Sequence, residues 1–361
     1  MKYSSPLKHL VKHEDELLNA LKKVIHSDQL ILGKEVASFE HAFAKFTKCN
    51  YVLGVNSCTD ALTISLIAAG IKKDDKVITT ALTAPATVVA ILNVGAIPII
   101  VDVEDTTYCI SPEAISRAID DKTRAVLPVH LHGFSANMDA ITAICKQHQL
   151  ILIEDCAQAC GTEYKGQKVG NFGIAGAYSF YPTKNIGCLG DGGAISTNDV
   201  SFLKKIKAMR NYGFNESGKI VAAGFNSRMD EIQAAFLNVI IKTLEERNNR
   251  RFSYAKKYHE ALDLYSEFLP PLIPGSTYHQ FCLRVPNRNK FIEQLDASGL
   301  TVGIHYPYTM KDHPAFEKYC QDIPKAETAA KELVSIPIQP EVLDNHFDQI
   351  VEIVAKCLKK Q

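Results

Sequence analysis

The sequence predicts an α/β protein, with a mostly parallel seven-stranded sheet in a large domain joined to a smaller C-terminal α+β domain. Between residue 51 and about residue 200, short apolar runs alternate with helical patterns, the rhythm of βα units around a parallel sheet. Those runs are apolar on both faces, as strands covered by helices on either side must be. A proline-rich connector, "FLPPLIPG", then precedes a last stretch of mixed strand and helix patterns that reads as a separate small domain.

The strands fall at "YVLGV" (51 to 55), "KVITTA" (76 to 81), "IPIIVDV" (97 to 103), "RAVLPVH" (124 to 130), "LILIED" (150 to 155), "GAYSFY" (176 to 181) and "GGAISTN" (192 to 198). Helices between them include "TDALTISLIAAG", which opens on capping-type residues and closes on a glycine, and "ANMDAITAICKQHQ". A long helical pattern runs through "SRMDEIQAAFLNVIIKTLEERNNRRFSYAKKYHEAL", with Ile232, Ala235, Phe236, Val239, Ile240 and Leu244 on one side. This predicts a single helix bridging the two domains, a large one over 1–245 and a small one over 246–361. There is no internal repeat and no low-complexity segment.

With 361 residues, 46% hydrophobic and 22% charged, the chain is long enough for two cores. Lys plus Arg and Asp plus Glu each number 40, which leaves no basic excess for a nucleic-acid backbone or an anionic membrane. The start, "MKYSSPLKHLVKHEDELLNALKKV", lacks the continuous apolar core of a signal peptide. No stretch approaches the roughly 20 apolar residues that span a bilayer. A cytoplasmic location is the expectation. The ten cysteines are scattered, and Cys156 and Cys160 lack a second pair at zinc-site spacing, so they read as buried thiols with no metal.

In open α/β sheets ligands gather at the carboxyl ends of the strands, and three such ends carry chemistry here. In "VNSCTDAL", Ser57, Cys58, Thr59 and Asp60 sit between a strand and a helix start, where hydroxyls and free N–H groups suit a phosphate or simply cap the helix. "LILIEDCAQACG" ends in Glu154 and Asp155, with Gln158 three positions on. A carboxylate there needs a cation or several donors facing it, or it caps the next turn. "AYSFYPTKN" brings Ser179 and Lys184 to the next strand end, where a desolvated lysine can act as a neutral amine. The glycines of "GCLGDGGA" do not fit a Walker-type loop, and no dinucleotide fingerprint follows the first strand. Together the three ends match what pyridoxal phosphate asks for: a lysine for its aldehyde, a carboxylate for its ring nitrogen, and donors for its phosphate.

"IEDCAQACGTEYKG", "SFYPTKNIGCLGDGGAISTND", "GFNSRMDEIQAA" and "GIHYPYTMKDHPAF" resemble the signature segments of the sugar aminotransferases of the DegT/DnrJ/EryC1/StrS family, fold-type I pyridoxal phosphate enzymes. The resemblance runs from "LILGKEVASFEHAFAKF" to "SIPIQPEV", nearly the entire chain. It implies that Lys184 bonds to the cofactor and shuttles the proton, that Asp155 pairs with the pyridine nitrogen, and that Gln158 lies near the ring hydroxyl. Ser179, Cys58 and Thr59 take the positions of phosphate contacts, and Asn226 that of an asparagine reaching the partner subunit's cofactor, which implies a homodimer. Tyr181, His305 and Tyr306 take positions lining the nucleotide-sugar pocket.

Some relatives carry histidine in place of the lysine and act as dehydratases; Lys184 favours amino transfer. Many relatives also place an aromatic residue near Ala84 or Pro85 to stack on the cofactor ring, and "TALTAPATVVAI" has none, a form resembling those that aminate a 3-keto carbon. The implied reaction passes the amino group of L-glutamate, through pyridoxamine phosphate, to a dTDP- or UDP-linked keto sugar. It serves amino-sugar and surface-polysaccharide synthesis, such as lipopolysaccharide O-antigen. Amination at the 4-keto carbon, a sugar dehydratase, and a non-enzymatic regulator on the same fold are the alternatives.

Overall fold

Seven short strands, β1 (Tyr51–Val55), β2 (Lys76–Thr80), β3 (Ile97–Val101), β4 (Thr123–Val126), β5 (Ile151–Asp155), β6 (Ala175–Ser179) and β7 (Gly193–Thr197), form one sheet. Their order is β1-β7-β6-β5-β4-β2-β3, and only β7 runs against its neighbours, so the sheet is mostly parallel as the sequence predicts. The computed structural model describes residues 1–361, apart from the side chains of residues 6 and 7.

Alternation along the strands feeds two faces. Leu53, Val55, Ala177 and Ile195 pack with helices Cys58–Ala68 and Val200–Met209. Val52, Tyr178 and Ala194 turn the other way, towards Phe39, Phe43 and Leu237 on helices Lys34–Thr47 and Glu231–Ile240. Edge-to-face contacts of Phe43 with Tyr178 and Phe180, ring centroids 5.0 and 5.1 Å apart, fix that second layer. Helix Cys58–Ala68 is buried on nearly every side, which explains its almost uninterrupted apolar sequence.

Several strands stop short of their apolar runs. The run "RAVLPVH" leaves the ladder after Val126 because Pro128 has no N–H to donate. The chain still follows the sheet edge, with the N–H of Asp155 donating to Pro128 O and the N–H of His130 to Asp155 O. These trimmed ends become the loops of the carboxyl edge.

The single long helix expected over the "SRMDEIQ…HEAL" segment is two helices, Glu231–Ile240 and Leu244–Ala261, separated by a 3₁₀ turn at Ile241–Thr243. β-Branched Ile240, Ile241 and Thr243 crowd this turn, and the Thr243 hydroxyl donates to the Ile240 carbonyl at 3.0 Å, diverting it from the helical ladder. Beyond Ala261 the chain builds a two-stranded antiparallel sheet, β8 (Phe281–Arg284) with β9 (Leu333–Ile336), under helices Arg288–Ala297, Pro324–Glu332 and Phe347–Leu358. One continuous apolar cluster joins this unit to the sheet, running from Ile78 and Val126 to Phe281, Leu333 and Val354.

The first five residues do not lie with the portion that the sequence grouped as 1–245. The Tyr3 N–H donates to Thr301 Oγ1 and the Ser5 N–H to Gln339 Oε1, which ties them to the C-terminal unit. All ten cysteines are free thiols, nine of them buried. Among the described residues no helix is long and apolar enough to cross a membrane.

Candidate active site

The last two residues of β5 point to opposite sides of the strand. Glu154 accepts the N–H groups of Gly170 (2.7 Å), Phe172 (2.7 Å) and Gly173 (2.9 Å), and pairs with His130 Nε2 at 3.0 Å. The Ala136 N–H donates to His130 Nδ1, so Nε2 is the ring nitrogen that donates to Glu154. Among the described residues no lysine or arginine pairs with Glu154: three backbone N–H groups and the His130 ring satisfy it, and it braces the 170–173 turn. His130, Glu154 and Cys156 offer ligand atoms within 4.8 Å of one another, but both carboxylate oxygens are already taken by these bonds.

Asp155 faces the carboxyl edge and is buried. One oxygen accepts the Thr87 hydroxyl at 2.9 Å, the other accepts the Ala157 N–H at 3.0 Å, and the Cys58 thiol lies 4.0 Å away. Burial raises its pKa; the Ala157 N–H, the Thr87 hydroxyl and the Lys184 charge oppose that rise. Lys184, partly buried in the loop after β6, is shifted the other way, with burial lowering its amine against the pull of Cys58 and Asp155. Acid and amine thus share one field, each biased towards its neutral form.

Ser57 caps helix Cys58–Ala68, its Oγ accepting the Asp60 N–H at 3.2 Å, so the capping role holds for this hydroxyl. The cap leaves the first N–H groups of that helix, those of Cys58 and Thr59, without intrahelical partners. β7 begins hard against them: a Cβ on Gly193 would lie 2.4 Å from the Ser57 carbonyl carbon and 2.7 Å from the Cys58 nitrogen. Because Gly193 pairs with Ser179 across β6 and β7, Ser179, Ser57, Cys58 and Thr59 converge on one corner. Ser179 Oγ accepts the Tyr181 N–H at 3.4 Å, while the Tyr181 side chain is 52% exposed.

A second group joins the edge to the C-terminal unit. Gln158 is buried, its Oε1 accepting the His132 N–H at 2.8 Å and its Nε2 donating to the Tyr306 hydroxyl at 2.7 Å. His132 Nε2 lies 2.8 Å from the His305 carbonyl oxygen, and His305 Nδ1 lies 2.9 Å from Ser335 Oγ. Burial holds both rings neutral, His132 at about 3 and His305 at about 4. Asn226 is exposed and pairs through its backbone with Asn211, while neighbouring Ser227 donates to Asn56 Oδ1 at 3.1 Å, beside the phosphate corner. At residues 84 to 86 the structure offers only Ala84, Pro85 and Ala86 before Thr87.

Thr87 and His132 were not among the residues the sequence pointed to. Thr87 reaches Asp155 because Pro85 starts a helix at the end of the β2 segment and puts Thr87 in its first turn. The donor set fits pyridoxal phosphate: a buried acid awaiting a cationic partner, an amine already lowered, and open helix N–H groups beside a serine. An edge so equipped, on this sheet, places the chain among the fold-type I pyridoxal phosphate enzymes. It belongs to the DegT/DnrJ/EryC1/StrS aminotransferase family, whose pattern matches residues 11–355.

A Geobacillus stearothermophilus protein named "Pleiotropic regulatory protein" is 38% identical over 349 residues, 94% of each chain. The dTDP-3-amino-3,4,6-trideoxy-alpha-D-glucose transaminase of Streptomyces venezuelae is 36% identical, covering 94% of this chain and 92% of its own. The crystal structure of S. venezuelae DesV in complex with a ketimine intermediate superposes with a TM-score of 0.95 at 33% identity, over 99% of this chain and 98% of that one.

Proposed function

We propose that the protein is a pyridoxal-phosphate-dependent aminotransferase that moves the amino group of L-glutamate to a nucleotide-linked keto sugar, with pyridoxamine phosphate as the cofactor's alternate form. The observation that carries this reading is the placement of Lys184 beside buried Asp155 and the open N–H groups at the start of helix Cys58–Ala68, with burial shifting the lysine amine below its ordinary value. Pyridoxal phosphate supplies the electron sink for the charge left when the donor's α-proton departs. Freed by the incoming donor, Lys184 Nζ takes that proton and gives it up again, as base and then as acid.

Asp155 keeps a proton on the ring nitrogen, held in place by Thr87 and the Ala157 N–H. Gln158, pinned between His132 and Tyr306, keeps one amide hydrogen for the ring hydroxyl. Cys58 and Thr59 grip the phosphate through their N–H groups and Ser179 through its hydroxyl. Asn226 reaches the partner subunit's phosphate, so the working unit is a homodimer. Tyr181, His305 and Tyr306 line the sugar-nucleotide pocket, and the reaction runs in the cytoplasm, for amino-sugar and surface-polysaccharide synthesis.

The small residues at 84 to 86 and the 3-amino sugar in the Streptomyces relative's name favour a 3-keto acceptor on dTDP or UDP. Lys184 and Asp155 together speak against the regulatory role named for the Geobacillus relative. The test is spectroscopic. Glutamate bleaches the visible absorption of the lysine-linked cofactor, and after removal of excess donor a 3-keto nucleotide sugar restores it while a 4-keto sugar does not. Failure of glutamate to bleach the spectrum refutes the donor, and failure of every keto sugar to restore it refutes the acceptor.

A further inference from the structure

A partly open cavity of about 200 Å³ is walled by Tyr3 of the N-terminal segment, by Thr183 next to Lys184, and by Arg251, His279, Gln280 and His305. Arg251 is 1% exposed, yet no acidic side chain pairs with it among the described residues. Its Nη1 donates to the carbonyl oxygens of Tyr278 (3.1 Å) and His279 (3.3 Å), and its Nε has no partner among the described residues. Glu341, the acid whose charge is felt at Arg251, is already engaged by Arg247 Nε at 3.0 Å and by His9.

Burial pulls the Arg251 guanidinium down to about 9, which still leaves it a cation at neutral pH. The histidines around it bring no compensating charge. Burial keeps His279 and His305 neutral, and the Lys184 ammonium pushes both further down, which places the cavity in the lysine's field. A buried cation without a counter-charge costs several kcal/mol relative to a paired one. Water occupies roughly 30 Å³ per molecule, so the cavity has room for a carboxylate with a short chain behind it.

We propose that Arg251 and this cavity form the subsite for the distal carboxylate of the amino donor, making the enzyme selective for dicarboxylic over neutral amino acids. The assignment rests on the donor reading above. Arg251 gives a charged, forked partner to the carboxylate, and Thr183 and Gln280 supply polar walls beside it. The same chemistry would accept the carboxylate of a uronate sugar, and the experiment separates the two.

Glutarate, a dicarboxylate with no amine to transfer, is titrated into the holoprotein and its dissociation constant read from the shift in melting temperature. Wild type, Arg251→Gln and Gln280→Glu are compared. The second variant keeps an acceptor for the Tyr3 hydroxyl and the shape of the wall while setting a carboxylate inside the cavity, so it guards against a folding defect in the first. Glutarate is expected to bind wild type and to weaken at least tenfold in both variants, with the kcat/KM preference for glutamate over alanine falling in parallel. Two results overturn the subsite: glutarate affinity unchanged in both variants, or Arg251→Gln weakening a nucleotide uronate while leaving glutarate untouched. If glutarate binds through Arg251 but glutamate never discharges the cofactor, the subsite stands and the donor reading falls. If glutamate discharges the cofactor in wild type and both variants alike, the function stands and the subsite falls.

Discussion

Replacing Thr87 by valine removes the hydroxyl that Asp155 accepts at 2.9 Å while preserving the side chain's shape. Asp155 then has one fewer donor favouring its charged form, so its pKa rises further and its hold on the ring proton weakens. The expected result is a kcat about tenfold lower, equivalent to about 1.4 kcal/mol, with an unchanged KM for the sugar. On the proposed role of Asp155, Asp155→Asn is expected to retain the cofactor by its absorption spectrum yet lose most activity in a turnover assay, because an amide cannot hold that proton.

Burial lowers the Lys184 amine below its ordinary 10.5, so in the folded chain it deprotonates earlier than a free lysine. Its neutral form thus favours folding above the unfolded value, and that contribution is lost as pH falls through the lowered folded pKa. The rate at which cofactor-free protein takes up pyridoxal phosphate therefore half-rises below pH 10.5, and a half-rise at or above it contradicts a desolvated lysine. Asp155, Ser179 and Lys184 could be singled out in the sequence because Asp155 ends one apolar run and the other two lie at and just beyond the end of the next strand. Thr87 and Arg251 could not be, because their surroundings depend on segments distant in sequence: Thr87 meets an acid 68 positions away, and Arg251 meets its cavity only once the N-terminal segment crosses the C-terminal unit.

At the scale of elements, two contacts hold the edge in shape. Gly193→Ala would drive a methyl group into the start of helix Cys58–Ala68, where backbone atoms cannot yield. A loss of about 1–3 kcal/mol in stability is expected, together with weaker cofactor retention, and both are checked by denaturant unfolding and cofactor release. Glu154→Ala strands three N–H groups of the 170–173 turn and the His130 ring, so a loss of about 3 kcal/mol or more is expected, read from the same unfolding curves. The strands were legible because an apolar run between helical patterns has few other uses. The break at Ile241–Thr243 was not, since its residues keep the apolar stripe intact and only the Thr243 hydroxyl diverts the ladder.

At the scale of the molecule, Phe214, Ile220 and Val221 stand exposed, the last two at 63% and 62%, in the loop that leads to Asn226. A second copy covering this loop would shelter those side chains and bring Asn226 to its partner's cofactor. Ile220→Asp with Val221→Asp is expected to shift the protein towards monomer in sedimentation and to weaken cofactor binding; a dimer unaffected by both charges places the interface elsewhere. The layered plan was open to sequence reasoning because alternation and helical periodicity repeat along the chain. The docking of residues 1–5 on the C-terminal unit was not, since it rests on a few backbone bonds with partners some 300 positions away.

Amino transfer itself is tested by following nitrogen. Protein, pyridoxal phosphate and ¹⁵N-labelled L-glutamate are incubated with a 3-keto nucleotide sugar, and the sugar product is analysed by mass spectrometry for wild type and Lys184→Ala. Amino transfer through Lys184 predicts ¹⁵N in the sugar with wild type, 2-oxoglutarate in equal amount, and neither product with Lys184→Ala. A sugar that has lost a hydroxyl without gaining nitrogen, or labelled sugar formed as fast without the lysine, would contradict it.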